Sequence, residues 1–327
     1  MSLIAVYPVV TAPASIGGES PDWTDRWLYY SIYDGTNWGA ATQTNLPTPM
    51  WASPSAVMWN GVVQIFQQGA FTWSGDVQAL PANGELLSSY FNGTFYNQGQ
   101  VPNVGMSVSP SAVPYGYELY VFHQGGYENG QLFYSVYIPG SGWQADTQLP
   151  NVGMSESPSA VQYGDDLYVF HQGGYQNGQL FYSVYIPGSG WQADTQVPNV
   201  GMSESPSAVV YEGKLYVFHQ GGYQNGELWY SVYDGTNWYA DTQVPNVGMS
   251  GSPSAVVWNG RLYVFHQQSG QPGDNESGWG PLGETNGDGG WVNEPLWFSN
   301  FDGTGWSNDT QVPQVGLCGS PSMVVTA

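Results

Sequence analysis

Residues 205–249 read SPSAVVYEGKLYVFHQGGYQNGELWYSVYDGTNWYADTQVPNVGM, and most of the chain is a variation on them. The SPSAV opening recurs with its proline at Pro54, Pro110, Pro158, Pro206 and Pro253, and as SPSMV at Pro321, in steps of 56, 48, 48, 47 and 68 residues. Repeats of roughly 40 to 50 residues made of short strands belong to propellers rather than to helical solenoids.

Each repeat breaks into four runs. SPSAVV is small and β-branched, KLYVFHQ and LWYSVY are continuous apolar and aromatic runs, and WYADTQVP turns polar. Continuous runs of this length predict strands buried on both faces, and a polar fourth run predicts an outer edge. Asn60-Gly61 and Asn259-Gly260 are hairpin signals between runs one and two, and Asp34-Gly35, Asp234-Gly235 and Asp302-Gly303 mark the link between runs three and four. A four-stranded antiparallel meander repeated at this period is a propeller blade.

The fourth run allows an independent count, because an aromatic residue stands five positions before a glutamine in six places: Trp38, Phe95, Trp143, Trp191, Trp238 and Trp306. LIAVYPVV at the start matches a second run and SPSMVV at the end matches a first run, so one blade is split between the termini. The expectation is one all-β domain over residues 1–327, a six-bladed β-propeller of four-stranded antiparallel blades. Pairing of the N- and C-terminal strands closes its ring and removes free blade edges. The split blade takes 1–47 and 319–327, and the others take about 53–102, 109–150, 157–198, 205–245 and 252–313.

Composition narrows the partners. The net charge of −22 comes from scarcity of bases, with Arg26, Lys214 and Arg261 the only three, so nucleic acid and anionic membranes or polymers fit poorly. With charged residues at 9% and aromatics at 16%, the surface hydrogen-bonds and stacks rather than pairing charges. Cys318 stands alone and reads as a small buried hydrophobe. No run of 18 apolar residues suggests membrane insertion. MSLIAVYPVV lacks a basic leader region and is needed as a strand. The protein is therefore expected to be made in the cytoplasm and to act outside the cell after non-classical release.

In a propeller, the links between second and third strands share a face with the links between blades. Here that top face carries HQGGYxNG and VPNVGMSxS, which vary least between copies, and three long connections near 11–26, 69–85 and 269–295. His123, His171, His219 and His266, each followed by Gln124, Gln172, Gln220 or Gln267, read either as a hydrogen-bonding rim for a polar ligand or as ties from loop to strand. Their spacing across separate blades does not suit a metal site. Tyr127, Tyr175 and Tyr223 offer stacking faces for a sugar ring, against simple loop packing. Asn-Val-Gly-Met reads as turn chemistry, with glycine at positive φ and Asn103, Asn151, Asn199 and Asn246 capping. Alternatively Met154, Met202 and Met249, with Met106, wall a pocket. Glu156 and Glu204 continue that segment where other copies have Val108 and Gly251. Asp274, Asn275, Glu276, Glu284, Asn286 and Asp288 are weighed as Ca²⁺ ligands against a solvated loop. No cofactor is expected.

With aromatic and polar groups presented between neighbouring blades, the chain resembles the six-bladed β-propeller lectins of fungi and bacteria. The resemblance implies glycan sites repeated around one face, filled here by His219, Gln220 and Tyr223 with their copies. The fucose lectins of that group carry an arginine in each site, whereas Lys214 and Arg261 lie on bottom turns and only Arg26 lies on top. SVYDGTNW is similar to the Asp box of six-bladed sialidases, but Asp234 and Gly235 are adjacent, and the chain has two arginines where those enzymes use three. The leading reading is a multivalent, non-enzymatic lectin for neutral glycans. The alternatives are a protein-binding scaffold and a glycoside hydrolase built on paired carboxylates such as Glu156 and Glu204.

Overall fold

A computed structural model describes residues 1–11, 26–47, 50–69, 84–268 and 293–326. The candidate Ca²⁺ ligands between 274 and 288 and most of the three long connections lie outside the described residues. Among the described residues every regular element is a strand.

The quoted stretch folds as an antiparallel meander of Thr195–Tyr211, Lys214–Gly221, Glu227–Tyr233 and Thr242–Gly248, in the register Val209 to Tyr216, Tyr216 to Val232 and Trp229 to Gln243. Thr147–Tyr163, Asp166–Gly173 and Gln179–Ile186 repeat the pattern, as do Ser250–Trp258, Arg261–Gln267, Glu294–Phe301 and Thr310–Leu317. At the termini Ser322–Val325 pairs with Leu3–Val10, bringing Val325 opposite Leu3, and Arg26–Tyr33 and Thr42–Gln43 follow. The Asn-Gly turns are as expected, with Asn60 and Gly61 at φ 50° and 80° and Asn259 and Gly260 at 48° and 73°.

One expectation is corrected. VPNVGMSxS is extended chain rather than a loop: in Thr195–Tyr211 the first part pairs with the outer side of the preceding meander and the part from Met202 pairs with Lys214–Gly221. The strand changes partners through a bulge between Ser203 and Ser207. The left-handed residues are Asn199 at φ 59° and Glu204 at φ 60°, not the glycine of Asn-Val-Gly-Met. Asparagine tolerates that region well enough to bend a strand without breaking its ladder.

The SPSA motif now has a physical meaning. The hydroxyl of its second serine accepts the backbone N–H of the alanine, or of Met323, in the next repeat. These bonds join Ser55 to Ala112, Ser111 to Ala160, Ser159 to Ala208, Ser207 to Ala255, Ser254 to Met323 and Ser322 back to Ala56, at 2.8 to 3.1 Å. First serines run a second series in the opposite sense, from Ser109 through Ser157, Ser205, Ser252 and Ser320 to Ser53. The proline between them has no N–H to leave unpaired.

Farther out, the aromatic tag of each repeat docks on the one before. Trp143 meets Phe66, Trp191 meets Phe122, Trp238 meets Phe170, Trp306 meets Phe218 and Trp38 meets Phe265 edge-on at 5.8 to 5.9 Å, while Phe95 tilts against Tyr30 at 4.9 Å. Each core cluster therefore straddles two repeats, as where Phe170 and Leu180 pack with Leu215 and Val217. Second strands are consequently buried on both faces, like Lys214–Gly221 after its first residue.

Deleting residues 320–327 removes the Ser322–Val325 strand and the acceptors for Ser252 N and Ala56 N. The truncated chain is expected to lose cooperative thermal unfolding or to aggregate through the bared edge of Leu3–Val10. A parent-like melt would refute the role of the terminal strand.

Candidate functional site

The second strand of each repeat ends in His-Gln, and the structure corrects the expectation of a histidine rim. His123, His171, His219 and His266 are fully buried. In the fourth repeat His171 Nδ1 lies 3.0 Å from the Gln172 carbonyl oxygen and Nε2 lies 3.0 Å from Asp194 Oδ1, to which Ser183 also donates at 2.9 Å. The same arrangement joins His123, Asp146 and Ser135, then His219, Asp241 and Ser231, then His266, Asp309 and Ser299. Both ring nitrogens face oxygen acceptors, so these histidines tie the second strand to the outer one and have no atom free for a ligand. The first repeat supports this reading. Tyr7 stands at the histidine position and Ala41 at the aspartate position, and the Tyr7 hydroxyl reaches Ser31 directly at 2.7 Å.

Gln124, Gln172, Gln220 and Gln267 are also buried, each donating Nε2 to the main-chain oxygen of Met154, Met202, Met249 or Leu317. Met106, Met154, Met202 and Met249 lie in the core at 1% exposure or less, where they present no surface to a ligand. The two glycines after His-Gln have separate reasons. A Cβ on Gly173 would stand 2.7 Å from Phe181, and one on Gly174 would stand 3.4 Å from the Gly153 backbone. Packing therefore accounts for much of the sameness of HQGG.

It does not account for the tyrosines. Tyr127 is 71% exposed and Tyr175 and Tyr223 are 104% exposed, yet each sits at φ 62° to 63°, a region that a bulky residue rarely adopts. Glu128, Gln176 and Gln224 follow at φ 48° to 50°. Their N–H groups are anchored on Ser107, Ser155 and Ser203 at 2.7 to 2.8 Å. Residues held in sparsely populated φ regions cluster at active sites, ligand clamps and switch regions, which makes these tyrosines the candidate positions.

A carboxyl group faces the residue that follows each of two tyrosines. Glu156 lies by Gln176 and Glu204 by Gln224, so each turn brings together an exposed ring, an amide and a half-buried carboxyl. Burial pushes the Glu204 carboxyl up to about 7, helped by the charge of Glu156 and opposed by Gln224. Glu156 is raised as well, by burial and then by Glu128. A carboxyl raised in the folded state binds its proton more tightly there than in the unfolded chain, so its contribution to stability falls as pH rises from about 4.5 to about 7. Glu204→Gln is therefore expected to match the parent near pH 4 and to exceed it above pH 7 by at most about 3 kcal/mol. Equal gains at both pH values in thermal melts would show that the carboxyl is not strained.

Sequence reasoning missed one concave feature. Between the fifth and sixth repeats a cleft is lined by Lys214, Tyr216, Tyr230, Tyr239, Thr242, Phe301 and Trp306. Lys214 Nζ lies 5.8 Å from the Tyr239 ring, and the Tyr239 hydroxyl donates to Asp234 at 2.7 Å. The Tyr230–Trp306 corner recurs as Tyr182–Trp238 and Tyr134–Trp191, where Asp166 and Glu118 replace the lysine. The recurring tyrosine of SVY-type third strands, followed one repeat later by the tagged tryptophan, is the signal that could have found it. The other two bases are engaged elsewhere: Arg26 is buried with Nη1 donating to Trp51 O, and Arg261 donates to Asn300. Among the described residues no cluster of three or more His, Cys, Asp or Glu could hold a metal ion.

No protein-family model matches the chain, and no curated protein matches it. Solved structures do. AofleA from Arthrobotrys oligospora is 16% identical with a TM-score of 0.61, over 92% of this chain and 83% of that one. The fucose-specific lectin from Aleuria aurantia is 14% identical with a TM-score of 0.55, over 96% of each chain. An α-L-arabinofuranosidase (CtGH43) from Clostridium thermocellum is 15% identical with a TM-score of 0.53, over 81% of this chain and 94% of that one. At the level of architecture the chain resembles the β-propeller lectins, and a glycoside hydrolase shares the fold.

Proposed function

We propose that this protein is a multivalent lectin: a closed six-bladed propeller that binds neutral glycans through repeated top-face sites and catalyses no reaction on them. The observation that carries the reading is the set of three solvent-exposed tyrosines, Tyr127, Tyr175 and Tyr223, held by strained backbone in consecutive repeats. An aromatic face beside hydrogen-bonding amide and carboxyl groups suits a sugar, whose ring has an apolar side and a hydroxyl edge. Support for the closed ring comes from the serine bonds that return from Ser322 to Ala56 and from the aromatic tags that return from Trp38 to Phe265. Near-identical modules in successive repeats favour a binder over an enzyme, since catalysis needs one asymmetric site. The lectins among the structural neighbours favour carbohydrate, and the fold they share with a hydrolase keeps that alternative in view.

A second location for the same function is the Lys214–Trp306 cleft, favoured by its concavity. The two are separated by mutation. Replacing Tyr127, Tyr175 and Tyr223 together by alanine is expected to leave the melting curve intact and to lower binding to glycan-coated beads by roughly 10² or more, because avidity multiplies weak sites. A folded triple variant that binds like the parent would move the site to the cleft, where Trp306→Ala would then abolish binding.

Ligand charge gives an independent check. With three bases in the chain and Arg26 buried, raising NaCl from about 50 to about 500 mM should change bead binding less than about twofold. A tenfold loss would contradict a neutral ligand.

A further inference from the structure

Glu156 and Glu204 occupy the same position in consecutive repeats, and their surroundings supply oxygen acceptors but no cation. A third copy of the position, Gly251, reveals what such a side chain meets: the point where its Cβ would stand lies 3.7 Å from Gln267 Oε1 and 3.5 Å from Ser320 Oγ. The matching glutamines are Gln172 and Gln220, 4% and 5% exposed, whose Oε1 atoms have no donor among the described residues. Each glutamate thus leaves the backbone beside a buried amide oxygen that lacks a hydrogen. On its other side it meets Gln176 or Gln224.

Among the described residues the charged groups facing the pair are all acidic. Glu128, from the turn of the third repeat, faces Glu156, and Glu156 faces Glu204. Arg26 donates to Trp51 O, Lys214 stands by Tyr239 and Arg261 donates to Asn300. An ionised carboxylate here repels its neighbour and leaves the amide oxygen orphaned. A carboxylic acid does neither, because its O–H can be donated to that oxygen.

We propose that the Glu156–Glu204 pair makes glycan binding proton-linked: the ionised carboxylates accept ligand hydroxyls beside Tyr175 and Tyr223, and protonation turns them onto Gln172 and Gln220 and weakens both sites. This rests on the top-face reading given above. The upward shift of Glu204 to about 7 puts the transition near neutrality. Sign and direction follow from the acceptor count: the proton removes acceptor capacity from the site, so affinity rises with pH. The Tyr127 site has Val108 at the glutamate position and lacks the device.

The test uses the full chain, a panel of beads coated with neutral glycans, and parent protein beside the isosteric variant E156Q/E204Q, with single E156Q as a second variant if the double one melts early. Parent binding is expected to rise about tenfold between about pH 5.5 and about pH 8.5, the effect of one or two charge-assisted hydrogen bonds. The double variant should stay within about twofold of the parent's acid value at every pH. Carboxyl carbon NMR shifts of the parent, read without glycan, should show a glutamate titrating near neutrality that the variant lacks. Parent binding that is measurable and flat with pH would overturn the proton linkage alone. Absence of binding across the panel at every pH, with the carboxyl still titrating near neutrality, would bring down the top-face reading and the proposal with it.

Discussion

The hydroxyl of the second serine in SPSA does what a β-ladder cannot do here. Inner strands of neighbouring repeats share no ladder along this edge, so the alanine N–H that points to the next repeat would otherwise be buried without a partner. A serine oxygen meets that N–H at 2.8 to 3.1 Å from Ser55–Ala112 through to Ser322–Ala56, with Met323 in place of alanine opposite Ser254. Each such bond is worth about 1 kcal/mol net, but leaving its donor orphaned costs more, so the side chain at that place is tightly constrained. The hydroxyl must be short, and the inner strands open on Ser, Pro and Ala, with their large aromatics, such as Trp59, Tyr211 and Trp258, held back to the strand ends.

From that constraint the rest follows outward. Small inner residues let the repeats converge, and the wedge that opens at larger radius is filled by the tagged aromatic of one repeat against the phenylalanine of the one before. The buried His-Asp-Ser groups then fix the outer strand to the second strand in four repeats. With the top hairpin packed through Gly174 on Gly153, the turn beyond it is free to present Tyr175 to solvent. The exposed rings are thereby carried on packed strands.

Much of this was legible in the sequence. The repeat, the hairpin turns at Asn60-Gly61 and Asn259-Gly260 and the pairing of the two termini follow from periodicity and turn chemistry, whereas the aromatic tag served to count repeats and its docking on the repeat before was not legible. The histidines were not, because a buried polar side chain is defined by a partner elsewhere: Asp194 lies 23 positions from His171 in sequence. The signal existed nonetheless in the way the two residues come and go together, with Tyr7 and Ala41 replacing both at once in the first repeat. Asn-Val-Gly-Met misled for a different reason. Its composition is that of a turn, yet tertiary pairing on both sides holds it extended, and the left-handed residue is Asn199. The cleft at Lys214 and Trp306 combines residues of two repeats and has no contiguous signature at all.

The central claim is that glycan sits on the top-face tyrosines beside the carboxyl pair. A crystal of the full chain soaked with a neutral oligosaccharide tests it most directly. The account predicts sugar density stacked on Tyr175 and Tyr223 in equivalent poses, with ring hydroxyls on Glu156 and Glu204. Density only in the Lys214–Trp306 cleft, with the three tyrosines bare, would contradict it.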